Sequence, residues 1–209
     1  MTVNDASAFG ELSPTTLADA LSHEQVMDIG IRPLWQPMPR LAGPVFTVRC
    51  APADNLMLHA AIYRAPAGSV IVVEAGDLDY AVSGGNVCAV AKRRGIAGFV
   101  VDGVIRDLAE VREDRFPVFA RGVIPVPGGK QVAGELNGTV RCGGVQVSAG
   151  DVVVADEEGI VVVPAAQQDT VLEAARTRAA KDAAQSLDDW EAGHRARIDA
   201  ILREKGFVE

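Results

Sequence analysis

The sequence predicts an α/β domain followed by a helical tail, and three observations carry this. Short β-branched runs alternate with helix-forming segments between residues 45 and 120. One run, Ala97-Gly98-Phe99-Val100-Val101, is apolar almost throughout, as in a parallel strand buried on both faces. From residue 165 the composition turns to Ala, Arg, Asp and Glu. With 209 residues, 48% hydrophobic and 5% aromatic, the chain has enough small aliphatic material for one core, and its 21 glycines call for many tight turns.

The elements follow in order. Residues 13–21 read as a helix capped by Ser13 or Thr15, with Pro14 in the first turn, where its missing N–H costs nothing. Residues 31–44 are Pro-rich. Strands are predicted at 45–50, 69–74, 98–101 and 118–120, alternating with helices at 54–63, 86–94 and 107–113, which is an α/β core. Between 122 and 164 short apolar strands are separated by Gly and Pro, with Gly pairs beginning at Gly128 and Gly143. That pattern predicts antiparallel β-structure wrapped on the core. In the tail, Val171, Leu172, Ala175, Ile198, Ile201 and Leu202 recur at helical spacing, giving one or two exposed helices broken near Ser186 or Gly193. The predicted division is residues 1–164 for the α/β domain and 165–209 for the helical extension.

The segment from 84 to 110, GGNVCAVAKRRGIAGFVVDGVIRDLAE, holds the chemistry. Gly84, Gly85, Asn86 and Val87 open a helix that Gly95 closes. The first turn of a helix has N–H groups without intrahelical partners and a positive dipole end, so an anion is its natural occupant. Without Cβ atoms, Gly84 and Gly85 let a ligand approach the backbone. The strand at 98–101 is read as ending at Asp102-Gly103, and ligands of open α/β sheets sit at the carboxyl ends of strands. Arg106-Asp107 follows at once. A guanidinium grips a carboxylate through two parallel hydrogen bonds, and a neighbouring carboxylate offers hard oxygen to a divalent ion. Each element alone has a plainer reading: a tight turn at Gly84-Gly85, and a capping box from Asp107 to Glu110. Their combination at this spacing points to a small anionic substrate and a metal.

Gly85, twenty intervening residues, Arg106-Asp107, two more and Glu110 match the G-x20-R-D-x2-E/D signature. On it the chain resembles the class II 4-hydroxy-4-methyl-2-oxoglutarate/4-carboxy-4-hydroxy-2-oxoadipate aldolases of the RraA-like superfamily. The likeness runs from about residue 12 to 164 and includes SPTTLADAL, GIRPLWQPMPRLAGPVFTVRC, GSVIVVEAGDLDYAVSGG and CGGVQVSAGDVVVADEEGIVVVP. The resemblance implies a layered β-β-α fold like that of swivelling phosphohistidine domains. It implies that backbone amides of Gly84, Gly85, Asn86 and Val87 meet the pyruvyl carboxylate of a 2-oxo acid, that Arg106 contacts substrate oxygens, and that Asp107 ligates Mg²⁺ or Mn²⁺. It further implies retro-aldol cleavage to pyruvate, oxaloacetate decarboxylation through the same enolate, and a homotrimer or hexamer. An acidic residue of an adjacent subunit completes the metal's water shell in such aldolases; Asp182 and Glu173 are the candidates here. The superfamily also contains protein-binding regulators of ribonuclease activity, in which the aspartate of the Arg-Asp pair is typically replaced. Asp107 therefore favours the enzyme.

The motif holds no histidine to take the 4-hydroxyl proton, so a metal-associated or carboxylate-held water is expected to serve, with Asp102 as its partner. Lys92 and Lys130 lie in no evident apolar pocket, which argues against a Schiff base; Lys130 in PGGK reads as a solvated loop lysine ahead of the alternative that it reaches the substrate. Lys92, Arg93 and Arg94 read as cations complementing a helix end.

A net charge of −8 and a pI near 4.9 exclude an extended nucleic-acid surface. Cys50, Cys88 and Cys142 are too widely spaced for a disulfide framework or a zinc set and read as small buried hydrophobes in a reducing cytoplasm. His23, His59 and His194 lack the spacing of a metal triad. The first residues have neither the basic start nor the apolar run of a signal peptide, and no segment is apolar for long enough to span a bilayer.

Overall fold

The computed structural model describes residues 6–207. Residues 1–5, part of the stretch read as lacking a leader, lie outside the described residues, as do the last two. The chain divides into two compact units, one through Ala175 and one from Arg176.

In the first unit, a 3-10 turn (Ala6–Glu11) leads to α1 (Pro14–Ala18). Ser13 caps α1, its hydroxyl accepting from the Thr16 N–H at 3.2 Å, and Pro14 takes the first helical position. Then come β1 (Arg32–Pro33), β2 (Leu41–Arg49), α2 (Leu56–Ala61), β3 (Val70–Glu74) and α3 (Gly85–Arg93). They are followed by β4 (Gly98–Ile105), α4 (Leu108–Glu113) and β5 (Val118–Val123). Strands β6 (Val140–Cys142), β7 (Val145–Val147), β8 (Val152–Asp156) and β9 (Gly159–Val163) complete it.

Strands β2 to β5 are parallel neighbours in the order β5-β4-β3-β2, with β1 antiparallel on β5. The other edge is extended by β8 and β9, both antiparallel. Strand β2 does two jobs: Leu41 to Pro44 pair with β8, and Val45 to Arg49 pair with β3. Its early start inside the Pro-rich stretch is possible because Pro44 sits where the pairing passes from one partner to the other.

The layering follows from alternation along the parallel strands. Ile71, Val73, Phe99 and Val101 face the helices and pack with Leu58, Cys88, Ala91 and Val111. Val70, Val72 and Val100 face the opposite way and pack with Val140, Val147, Val153 and Val162 of the antiparallel strands. A strand buried on both faces has to be apolar at every position, which explains the uninterrupted run at 97–101. The result is the layered β-β-α arrangement that was predicted.

One boundary is corrected. Strand β4 does not end at Asp102-Gly103 but continues to Ile105 through a register irregularity between Val101 and Val104. Gly103 permits this, since a Cβ there would run into Ala75. The strand therefore delivers Arg106, not Asp102, at its carboxyl end.

Helix α5 (Gln168–Ala184) starts in the first unit, where Val171 and Ala175 are buried. In the second unit α6 (Leu187–Glu204) is capped by Ser186, whose hydroxyl accepts from the Asp189 N–H at 3.1 Å. The break falls at Ser186 and not at Gly193, which lies inside α6. Gly206, at φ 72°, ends α6 with the Phe207 N–H donating to the Leu202 carbonyl, a left-handed helix stop that glycine makes cheap.

Candidate active site

The twenty residues between Gly85 and Arg106 form one helix and one strand, and their two ends are stitched together. Ala81 lies beside Val104, the Val82 N–H donates to the Val104 carbonyl at 3.0 Å, and the Arg106 N–H donates to the Ser83 carbonyl at 3.0 Å. The start of α3 thus stands against the end of β4. Spacing alone made this meeting plausible; the three backbone contacts make it.

Asp107 does not follow the plain capping reading. It precedes α4, yet its carboxylate makes no capping bond to that helix. It sits at φ 57°, ψ 38°, the left-handed region that Asp tolerates better than most residues. In that conformation its Oδ2 accepts from the Gly85 N–H at 3.1 Å and lies 3.3 Å from Arg106 Nε. The side chain has been turned away from its own helix and toward the neighbouring one. The Glu110 N–H donates to the Asp107 backbone carbonyl instead of the Asp107 side chain, and no capping box forms at this helix start. A Cβ on Gly84 would run into the Asp107 carboxylate, and a Cβ on Gly85 into the Glu110 carboxylate. The glycine pair is needed because two carboxylates occupy the space that side chains would fill.

Gly84, Asn86, Val87, Arg106 and Asp107 border a pocket of about 90 Å³. Gly85 does not, its N–H being given to Asp107. The amides of Asn86 and Val87 precede the first intrahelical bond of α3, Cys88 N–H to Gly84 carbonyl, and are the two left over for an anion.

The far wall comes from segments that sequence reasoning did not assign to the site: Asn55, His59 and Lys130. Residues 53–56 and 128–132 are laced together to form it. Gly129 N–H donates to the Ala53 carbonyl (2.7 Å), Asn55 N–H to the Gly129 carbonyl (2.9 Å) and Asn55 Nδ2 to the Gly128 carbonyl (3.0 Å). Buried Asp54 accepts from Leu56 N–H (2.8 Å), Gln131 N–H (2.5 Å) and Val132 N–H (3.2 Å). Burial alone would raise the Asp54 carboxyl, but these backbone donors, with Lys130 nearby, outweigh it and hold it below the ordinary value. Asn55 is 4% exposed and its Oδ1 has no partner among the described residues. A buried amide oxygen without a partner retains its capacity to accept a hydrogen bond. The Pro127-Gly128-Gly129-Lys130 run, whose glycines let two backbones touch, was the only trace of this wall in the sequence.

The family now follows from comparison. The sequence profile of the RraA-like family (Aldolase/RraA) matches residues 14–162. The chain belongs to the RraA-like family. A protein of Halalkalibacterium halodurans named "Putative 4-hydroxy-4-methyl-2-oxoglutarate aldolase" is 37% identical over 202 residues, covering 96% of this chain and 92% of the relative. Two solved RraA-like structures are similar. The RNA-processing inhibitor RraA from Thermus thermophilis has a TM-score of 0.66 at 31% identity, with 72% of this chain and 91% of that one covered. Streptomyces coelicolor RraAS2, described as an unusual member of the RNase ES inhibitor family, has 0.71 at 30%, with 92% and 96% covered.

Other expectations for this RraA-like protein resolve as follows. Asp102, expected beside the metal water, is engaged elsewhere: its Oδ1 takes Arg121 Nε at 2.5 Å and its Oδ2 the Gly143 N–H at 2.7 Å. The continuation of β4 past Asp102 turns that side chain to the other face, where Arg121 also holds Asp28 at 2.7 Å. Lys92 binds the Asp114 carbonyl and Arg94 the carbonyls of Ile62 and Tyr63, so these helix-end cations serve structure. Glu173 and Asp182 are exposed on α5, with Asp182 paired to Arg178 at 2.8 Å. Cys50, Cys88 and Cys142 are buried and unbridged. Among the described residues no helix is long and apolar enough to cross a membrane.

Proposed function

We propose that this protein is a divalent-metal-dependent aldolase that cleaves a 4-hydroxy-2-oxo dicarboxylic acid, such as 4-hydroxy-4-methyl-2-oxoglutarate, to give pyruvate. The observation that carries the reading is Asp107, held in a left-handed conformation that aims its carboxylate at the Gly84-Gly85 helix start beside Arg106.

The donor set suits Mg²⁺ or Mn²⁺. Two carboxylates, Asp107 and Glu110, lie against consecutive glycines, and no group of three or more His, Cys, Asp or Glu is gathered among the described residues. Hard oxygen ligands few in number, with water in the remaining positions, are the habit of these ions. A bound divalent ion supplies Lewis acidity toward the 2-oxo group. The protein's part is to orient and to stabilise charge. Asn86 and Val87 amides receive the C1 carboxylate at the positive end of α3. Arg106 presents its guanidinium to the 2-oxo oxygen, on which charge grows as the C3–C4 bond breaks, so its hydrogen bond strengthens toward the transition state. Lys130 and the Asn55 carbonyl oxygen face the distal half, where a second carboxylate and a hydroxyl fit an ammonium and an unpartnered acceptor. The same enolate arises from oxaloacetate by loss of carbon dioxide, which makes decarboxylation a companion activity. We further propose a homotrimer or hexamer located in the cytoplasm.

The neighbours described as an RNA-processing inhibitor and as a member of an RNase ES inhibitor family favour a second reading, a non-catalytic protein-binding regulator. A pyruvate-release assay with 4-hydroxy-4-methyl-2-oxoglutarate and oxaloacetate, each with and without Mg²⁺ or Mn²⁺, separates the two. Metal-dependent pyruvate from the hydroxy acid is the expected result. Pyruvate from oxaloacetate alone would make the protein a decarboxylase, and turnover of neither would leave the regulator.

A further inference from the structure

We propose that His59 is the proton-transfer residue of the aldol step, taking the 4-hydroxyl proton and returning it to carbon 3. The inference rests on the aldolase reading above and names the base that reading lacks.

His59 lies on α2 and borders the same small pocket as Arg106 and Asp107. The pocket is small, with His59, Arg106 and Asp107 all on its lining. Groups on its opposite walls therefore address neighbouring atoms of one ligand. The other polar groups around it are unsuited to moving a proton. Arg106 and Lys130 offer donors only, and Asn55 has no basicity. The Ser83 hydroxyl is placed against the Cys88 thiol, and the Asp107 carboxylate, assigned to the metal in the reading above, also accepts from Gly85 and lies beside Arg106. The His59 ring is half-buried and has no hydrogen-bond partner among the described residues, so a nitrogen is free to accept. Its charged neighbours are Lys130 and Asp54, with Arg106 and Asp107 on the shared pocket. Burial first, and Lys130 second, push the imidazole below its ordinary value against a smaller opposing effect of Asp54, which favours the neutral ring, the form that can accept a proton.

The step balances. The O4–H proton passes to an imidazole nitrogen and the O4 electrons form the new carbonyl at C4. The C3–C4 bond breaks, and its electron pair enters the enolate on C2, C3 and the 2-oxo oxygen. After the carbonyl product leaves, the imidazolium returns the proton to C3 and pyruvate results. O4 and C3 are both bonded to C4, so one ring can serve both. Oxaloacetate has no 4-hydroxyl, and its carbon dioxide leaves without a base.

That difference is the test. Wild-type protein, His59→Asn and His59→Gln are compared with Mn²⁺ for cleavage of 4-hydroxy-4-methyl-2-oxoglutarate and for carbon dioxide release from oxaloacetate in a single turnover. The ratio of cleavage to decarboxylation is expected to fall about 100-fold in both variants, the low end of general-base contributions. The wild-type kcat/KM for the hydroxy acid is expected to decline at acid pH, and the decline to vanish in the variants. NMR titration of the metal-free protein should show the His59 ring losing its proton below pH 6.5. An unchanged ratio, or equal loss of both reactions in both variants, would overturn the role of His59 and leave the aldolase reading standing. A wild-type protein inactive on the hydroxy acid would overturn both.

Discussion

The carboxylate of Asp107 accepts the N–H of Gly85 at 3.1 Å, across the gap between the end of one strand and the start of the preceding helix. This bond joins the two ends of the motif and fixes the acid in its left-handed conformation. Asp107→Asn keeps the acceptor and tolerates φ 57°, but loses the charge. It should leave the thermal midpoint and the oligomer unchanged while abolishing Mn²⁺ binding, read by electron paramagnetic resonance, together with pyruvate release. Asp107→Ala should do the same at an added cost of about 1 kcal/mol for the strained backbone. Undiminished turnover in either variant would sink the metal assignment.

Gly85→Ala tests the second carboxylate. The new methyl would meet the Glu110 carboxylate, which can swing away, and would lie 3.0 Å from the Glu110 Cβ, so α4 must give slightly; alanine suits a first helical turn. Stability is expected to change by less than about 1 kcal/mol. Displacing Glu110 should weaken Mn²⁺ affinity about tenfold, measured by calorimetry. Unaltered affinity would remove Glu110 from the site.

Arg106→Lys retains a positive charge and loses the planar fork. If the guanidinium stabilises the developing enolate, kcat/KM for the hydroxy acid should fall about 100-fold, with the loss mainly in kcat. A rise in KM alone would show that Arg106 binds substrate without favouring the transition state.

Asp54→Ala strips three backbone donors of their acceptor and should cost about 2 kcal/mol, seen as a lower urea midpoint at pH 7. The pH dependence has a definite sign. The folded carboxyl titrates below its ordinary value of 3.8, so its contribution is full above that value and is lost as pH falls through the lower, folded one. The stability gap between wild type and variant should therefore narrow under strong acid. A gap independent of pH would mean that Asp54 acts by packing alone.

Local pattern determined much of this protein. The alternation of β-branched runs with helices, the uninterrupted Ala97 to Val101 strand and the Gly-Pro punctuation after residue 122 each follow from short-range preferences, and the α/β layers and the antiparallel wrap were legible from them. The spacing from Gly85 to Arg106 was legible for the same reason, because one helix and one strand return the chain to its starting end. Three matters were settled only by long-range contacts. Whether Asp102 or Arg106 ends β4 depended on a bulge at Gly103, set by close packing on Ala75. Whether Asp107 caps its own helix or reaches Gly85 depended on a neighbouring backbone, since an Asp-x-x-Glu run is compatible with both. The far wall of Asn55, His59 and Lys130 joins segments about 70 residues apart through backbone lacing, for which no periodicity exists. A sequence displays periods and spacings directly; which distant backbones touch is decided by packing, and in this protein packing assembles the second half of the pocket.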